Sequence, residues 1–213
     1  MQKQLKNLFS YRLLLLFLPL IFVQCNLDSK NEKIDYHGKL KYFKNQYGIE
    51  HFIEDGEGYD VMIVLPECFT NDYSSFSISN KNNFVCYDNN VYFSVDVIPK
   101  SEINFYAEYF NDEKIKSQED VLIMRDYCVD TRAFGLLEET RSIYSNILTK
   151  ENKAILLGSV KGKSDPYAKE LFYQFGVIEG RDSFYILQAI MSVENTSFLH
   201  QDILEIFKSF KIN

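Results

Sequence analysis

From Ala154 to the C-terminus the chain runs through three apolar segments separated by polar turns and then an amphipathic one, and this order limits the fold more than any other feature. The segments Ala154–Val160, Leu171–Ile178 and Ser183–Val193 read as strands, the last two separated by Glu179-Gly180-Arg181-Asp182. Asn195 or Thr196 is then expected to cap a helix ending near Phe210. At 100° per residue Leu199, Ile203, Ile206, Phe207 and Phe210 share an arc of about 100°, and Gln201, Glu205, Lys208 and Ser209 lie opposite. Such a face has to lie on a sheet, because each large side chain left in water forgoes ~1.5–3 kcal/mol.

The first half carries the same period. Strands are expected over Lys39–Phe43, Gly48–Ile53 and Tyr59–Leu65, the last stopped by Pro66, which has no N–H for a ladder. Asn83–Tyr87 and Val91–Ile98 flank Asp88-Asn89-Asn90 as a hairpin. In its second arm Val91, Phe93, Val95 and Val97 alternate with Tyr92, Ser94, Asp96 and Ile98. Between the halves, Ser117-Gln118-Glu119-Asp120 resembles a capping box opening a helix from about Gln118 to Thr131, with a shorter helix over 101–111. Antiparallel strands with helices in the middle and at the end predict α+β, an antiparallel sheet sandwiched by helices with the amphipathic C-terminal helix packed on the sheet. Phe and Tyr number 18 and 15 with no Trp, and the expectation is that they fill that core.

The N-terminus reads differently. Lys3, Lys6 and Arg12 precede an unbroken apolar run, Leu13–Val23, and then Gln24 and Cys25. The run is shorter than the ~20 residues of a bilayer span, and a positive flank on a short apolar core reads as a secretory signal. Phe22-Val23-Gln24-Cys25 resembles the lipobox of bacterial lipoproteins, with Phe22 and Gln24 standing where the pattern has Leu and a small residue. That resemblance implies removal of residues 1–24 and lipidation of Cys25. At ~0.8 kcal/mol per buried methylene, several acyl chains hold a protein on a membrane almost permanently. Residues 25–37 would be a lipid-anchored tether and 38–213 a single domain. Losing residues 1–24 removes three basic residues and no acids, which takes the formal charge from −7 to −10. So acidic a product is a poor partner for nucleic acid, where Lys and Arg on phosphates dominate affinity.

The segments YGIEHFIEDGEGYDVMIVLP (47–66), SFYILQAIMSVE (183–194) and EIFKSFKIN (205–213) together resemble the PsbP-like group, which includes DcrB-type bacterial lipoproteins and the Mog nuclear-transport factor. The likeness runs over most of residues 40–213 and is one of element order. It implies a fold used for assembly or binding, with no catalytic motif to carry over.

Reactive residues are sparse. With Cys25 acylated, Cys68, Cys86 and Cys128 remain; Cys68 with Cys86 is the preferred disulfide for an exported chain, and three buried small apolar side chains is the competing reading. No CxxC or ligand-spaced His suggests zinc. Glu54, Asp55, Glu57 and Asp60 form the densest acidic group, a weak cation candidate that departs from the EF-hand pattern and reads better as a solvated turn. For a hydrolase the candidates are Ser159 and His200, but GxSxG is absent, and His37 and His51 fall in the tether and an early strand. Asn195-Thr196-Ser197 matches a glycosylation sequon formally and reads as a helix cap. The expectation is a non-enzymatic, cofactor-free lipoprotein of the bacterial envelope, facing the periplasm or cell surface and binding an envelope or secreted protein. Small-ligand or cation binding, and an immunity-type protein neutralising a toxin, are the alternatives.

Overall fold

Alternation with a period of two builds the central sheet of the protein, whose computed structural model describes residues 34–35, 40, 43, 46–53, 61–71, 82–110 and 113–212. Eight antiparallel strands form it: β4 (Thr70–Asn71), β5 (Asn83–Cys86), β6 (Val91–Pro99), β7 (Leu137–Ile143), β8 (Ile147–Leu148), β9 (Ala154–Lys163), β10 (Leu171–Glu179) and β11 (Ser183–Ser192). Their order is β4-β5-β6-β11-β10-β9-β7, with β8 alongside β9. One face carries Val91, Phe93 and Val95 of β6, Ile155 and Leu157 of β9, and Tyr185, Leu187, Ala189 and Met191 of β11. The other carries Leu156, Val160, Tyr173, Phe175, Val177, Phe184 and Ile186. A sheet apolar on both faces needs a cover on each.

Two different covers meet that need. Helix α1 is Ile103–Glu108, α2 Glu113–Lys116, α3 Asp120–Ala133 and α4 Thr196–Lys208. Helix α3 lays Val121, Met124, Cys128, Val129 and Ala133 on the second face. The first face receives α4, through Leu199, Ile203, Ile206 and Phe207 with Phe210 just beyond it, together with a second sheet. That sheet has the order β1-β2-β3-β12, formed by Ile34–Asp35, Tyr47–Ile53, Val61–Pro66 and Lys211–Ile212. Helix α4 lies tight on β10: a Cβ on Gly176 would stand 2.8 Å from both Ile155 Cγ2 and Phe207 Cδ2. The Ser209 hydroxyl accepts from Val64 N at 3.0 Å and fixes the chain as it enters β12.

The fold is α+β and antiparallel as the strand pattern implied, and the central sheet has a helix on each face with a small second sheet beside α4. Several local expectations change. Of the expected strand Lys39–Phe43, Leu40 and Phe43 are buried but lie in no strand, the Phe43 N–H donating to Asp202 on α4 at 3.1 Å, and the other three residues lie outside the described ones. Neither long helix has a side-chain cap: Glu119 and Asn195 hold the cap positions without such a bond. Thr196 Oγ1 instead donates back to the Val193 carbonyl at 2.6 Å. Strands β7 and β8 were not legible, because Leu137–Ile143 (LEETRSI) sits at a sheet edge and has no buried face to impose alternation. Arg125 and Arg132 interrupt the apolar stripe of α3 without penalty. Arg125 pairs with Asp126 at 2.7 Å, and the Arg132 guanidinium lies 4.9 Å from the Tyr173 ring centroid.

His51 packs edge-on to Phe84 at 4.8 Å between the two sheets, with its Nε2 buried and unpartnered. Burial lowers its pKa below the usual 6.5. The unfolded chain therefore binds the extra proton first, and stability is complete above about pH 6.5 and falls as pH drops from there through the lowered folded value. Burial moves His200 in the same direction. We expect urea midpoints to fall between pH 7 and pH 5, and His51→Phe, which keeps the ring, to flatten that slope.

Candidate functional site

Many of the described aromatic side chains enter the core, yet one group gathers outside it, where α1 meets α3. The segment Ile103–Phe110 (INFYAEYF) holds too many rings for a six-residue helix to bury. Phe105 stays 69 % exposed and Tyr109 42 %. The rings nonetheless order one another: Phe105 to Tyr106 at 5.4 Å, Tyr106 to Tyr127 at 4.8 Å, and Tyr109 to Tyr127 at 5.1 Å, all near perpendicular. Edge-to-face packing of this kind contributes ~0.5–1.5 kcal/mol per pair beyond burial, so the surface is preorganised. Tyr127 and Asp130 share a face of α3 at helical spacing, and Phe134, at the C-cap just past the helix, is 85 % exposed.

A polar chain borders these rings. The Tyr109 hydroxyl donates to Asp130 Oδ2 at 2.9 Å, and that hydrogen bond raises its pKa. Asp130 also receives Arg141 of β7, which holds Glu139 through two bonds of 2.8 and 2.9 Å. Arg141 in turn lowers the Glu139 pKa. Along α1, α3 and β7 the flanking acids outnumber the bases: Glu102, Glu108, Asp120, Asp126, Asp130 and Glu139 against Arg125, Arg132 and Arg141. Nothing here juxtaposes a nucleophile with a base. The arrangement is suited to contact, with rigid amphipathic rings in an acidic border.

The hydrolase candidates do come into one neighbourhood, through Tyr144. Its hydroxyl is 2.9 Å from Ser159 Oγ, and its ring centroid is 5.8 Å from that of His200. Phe172 lies 6.1 Å from the same imidazole. The bonded partner of Ser159 is thus a phenol, and the hydroxyl is buried on the α4 side of β9. Gln174, opposite Ser159 in the ladder, is fully buried with both amide atoms unpartnered. Cys128 is no better as a nucleophile, since burial, then the charge of Asp96, pushes its pKa up to about 12. A groove of about 600 Å³ opens beside the start of α3, where Glu119, Lys153 and Glu179 edge a floor that includes Val121 and Leu156; no catalytic set converges there.

Cys68, after β3, and Cys86, ending β5, are joined as a disulfide with Cα atoms 5.1 Å apart, within the normal reach of such a bridge. The Asn89 amide donates to Cys86 Sγ at 3.0 Å. Cys25 and the acidic group Glu54, Asp55, Glu57 and Asp60 lie outside the described residues, as does His37. Among the described residues no group of three or more His, Cys, Asp or Glu could hold a metal, and no helix is long and apolar enough to cross a membrane. The exposed rings of α1 were missed in the sequence because an apolar octapeptide looks the same whether it is buried or displayed.

No protein-family model matches the chain, and no curated protein matches it. Among solved structures it is similar to the cyanobacterial PsbP protein (CyanoP) of Synechocystis sp. PCC 6803, with 8 % identity and TM-score 0.47 over 78 % of this chain and 92 % of that one. It is similar to LpqN, involved in cell envelope biogenesis of Mycobacterium tuberculosis, with 11 % identity and TM-score 0.42 over 81 % and 95 %. It is also similar to PA94 from Pseudomonas aeruginosa, a protein of unknown function described as a putative regulator, with 9 % identity and TM-score 0.36 over 70 % and 88 %.

Proposed function

We propose that this is a non-enzymatic, lipid-anchored protein of the bacterial envelope that binds another envelope or secreted protein through the aromatic face of α1 and α3. The observation that carries the reading is the display of Phe105 and Tyr109 within a set of rings that hold one another in fixed orientations, with Phe134 exposed at the end of α3. Exposed, preordered Tyr and Phe are typical anchors of protein interfaces, because they lose little conformational freedom on binding. The acidic border selects a partner with basic residues around an apolar patch. The anchor rests on the leader pattern that ends at Cys25, and a PsbP-like domain agrees with the antiparallel α+β architecture.

Affinity purification of the full-length chain from detergent-solubilised membranes tests both halves. The wild type should retain a reproducible partner, and Phe105→Ala with Tyr109→Ala should lose it. Each truncation of an anchor ring costs on the order of 1–2 kcal/mol, about tenfold or more in affinity. Cys25→Ser should abolish palmitate incorporation and release the protein from the membrane. A clean wild-type preparation with no partner would overturn the binding reading, and retention of the serine variant would overturn the anchor.

A further inference from the structure

The central sheet ends on one side in the two-residue strand β4 and on the other in the seven-residue strand β7, every residue of which is exposed save Ser142. A strand this long at an edge presents a row of main-chain donors and acceptors that another strand could take. Their phase can be read from the chain. Tyr144 N donates to Leu157 O on β9 at 3.3 Å. By alternation Ser142 and Thr140 turn their backbone groups toward β9, and Arg141 and Ile143 turn theirs outward; the Glu139 carbonyl, opposed to the Thr140 N–H across their shared peptide, also faces outward. Among the described residues no strand receives them. At Glu138, with φ 53, a register shift between Leu137 and Thr140 bulges the strand and ends the regular edge.

The stretch Glu139-Thr140-Arg141, which begins inside that shift and runs into the regular ladder, is complementary to itself in charge. Laid antiparallel on a second copy about Thr140, Glu139 meets Arg141 of the copy and Arg141 meets Glu139. Shifting the axis to Glu139 or Arg141 opposes like charges. We propose that β7 pairs with β7 of a second copy of this chain around a twofold axis at Thr140, joining the two central sheets edge to edge. In each Glu139–Arg141 pair the Arg141 N–H would donate to the Glu139 carbonyl of the copy, and the two Thr140 residues would form the closer, non-hydrogen-bonded pair. The side chains are already placed for it: Arg141 is held extended by Glu139 and Asp130 on the α3 side of the sheet, so the axis would unite two guanidinium groups with four carboxylates. Edges guarded by charge of one sign repel a copy of themselves, whereas this one matches it. The edge adjoins the aromatic rings through Arg141, Asp130 and Tyr109, so the pairing is read by crosslinking between copies, separately from retention of another protein.

Thr140→Cys in the full-length chain tests it, by copper-phenanthroline oxidation in membranes and after detergent extraction, with non-reducing gels and intact mass. Non-hydrogen-bonded pairs place Cα atoms ~4.5 Å apart, within reach of a disulfide. The expected result is a thiol-reversible species of twice the chain mass. Ser142→Cys should give none, since Glu138 of the copy would stand opposite it. Adding Arg141→Glu to Thr140→Cys should return crosslinking to the wild-type background, and adding Glu139→Arg as well should restore it. Four results would overturn the proposal: a Thr140→Cys chain that stays single although its introduced thiol reacts with maleimide, equal crosslinking at position 142, no restoration by the charge swap, or a crosslink to a different protein.

Discussion

Phe207→Ala is expected to remove about 3–5 kcal/mol of stability, the largest effect of any single truncation in α4. The ring is fully buried and meets Phe93 of β6 at 5.9 Å, and it closes over Gly176, the position on β10 where a Cβ would already collide with it. Helix and sheet touch there with no intervening side chain, so neither can relax into the space left behind, and the cavity adds its cost to the lost transfer energy. For a chain of this size the change should lower Tm by roughly 6–20 °C. Phe105→Ala serves as the contrast, since an exposed ring removed from α1 forfeits little more than its edge-to-face contact with Tyr106 and should shift stability by no more than ~1.5 kcal/mol. A Phe207→Ala protein that melts with the wild type would mean that α4 does not lie on β10.

Loss of the Cys68–Cys86 bridge comes next. The two residues are 18 apart in sequence, and closing a loop of that length in the unfolded chain restricts it by the equivalent of about 3 kcal/mol. Cys86 is fully buried in the core shared by the two sheets, so Cys86→Ala should also disturb packing, and reduction of the wild type is the cleaner comparison. The expected result is a melting temperature several degrees lower in reductant, with two thiols newly open to alkylation. Cys128 should react only on unfolding, because burial has raised its pKa to about 12. Identical melting curves with and without reductant would mean that the pair is not oxidised in the isolated protein.

What could be read in advance depended on whether one face of an element met the core. Strand β11 and helix α4 were legible because burial imposes a period on every side chain: Tyr185, Leu187, Ala189 and Met191 on the one, Leu199, Ile203, Ile206 and Phe207 on the other. Helix α3 was harder, since Arg125 and Arg132 break its stripe, and only the folded chain supplies the Asp126 carboxylate and the Tyr173 ring that accommodate them. Strand β7 carries no period because it is an edge. Its significance, a Glu and an Arg matched about Thr140, follows from its place in the sheet order. Ser159 and His200 are 41 positions apart in sequence, and nothing local announces that Tyr144 lies against both.

By itself the sequence determined the strands that bury a face, the residues sharing each face, the terminal helix and the leader pattern, because these depend on spacing along one segment. The tertiary structure decided what stands opposite each face: α3 on one side of the central sheet, α4 and the small sheet on the other, and, among the described residues, nothing over Phe105, Tyr109 or the outer edge of β7. Periodicity tells a side chain which way to point. Only the packing of distant segments, competing for a limited buried volume, determines which of those side chains find a cover and which remain available to another molecule.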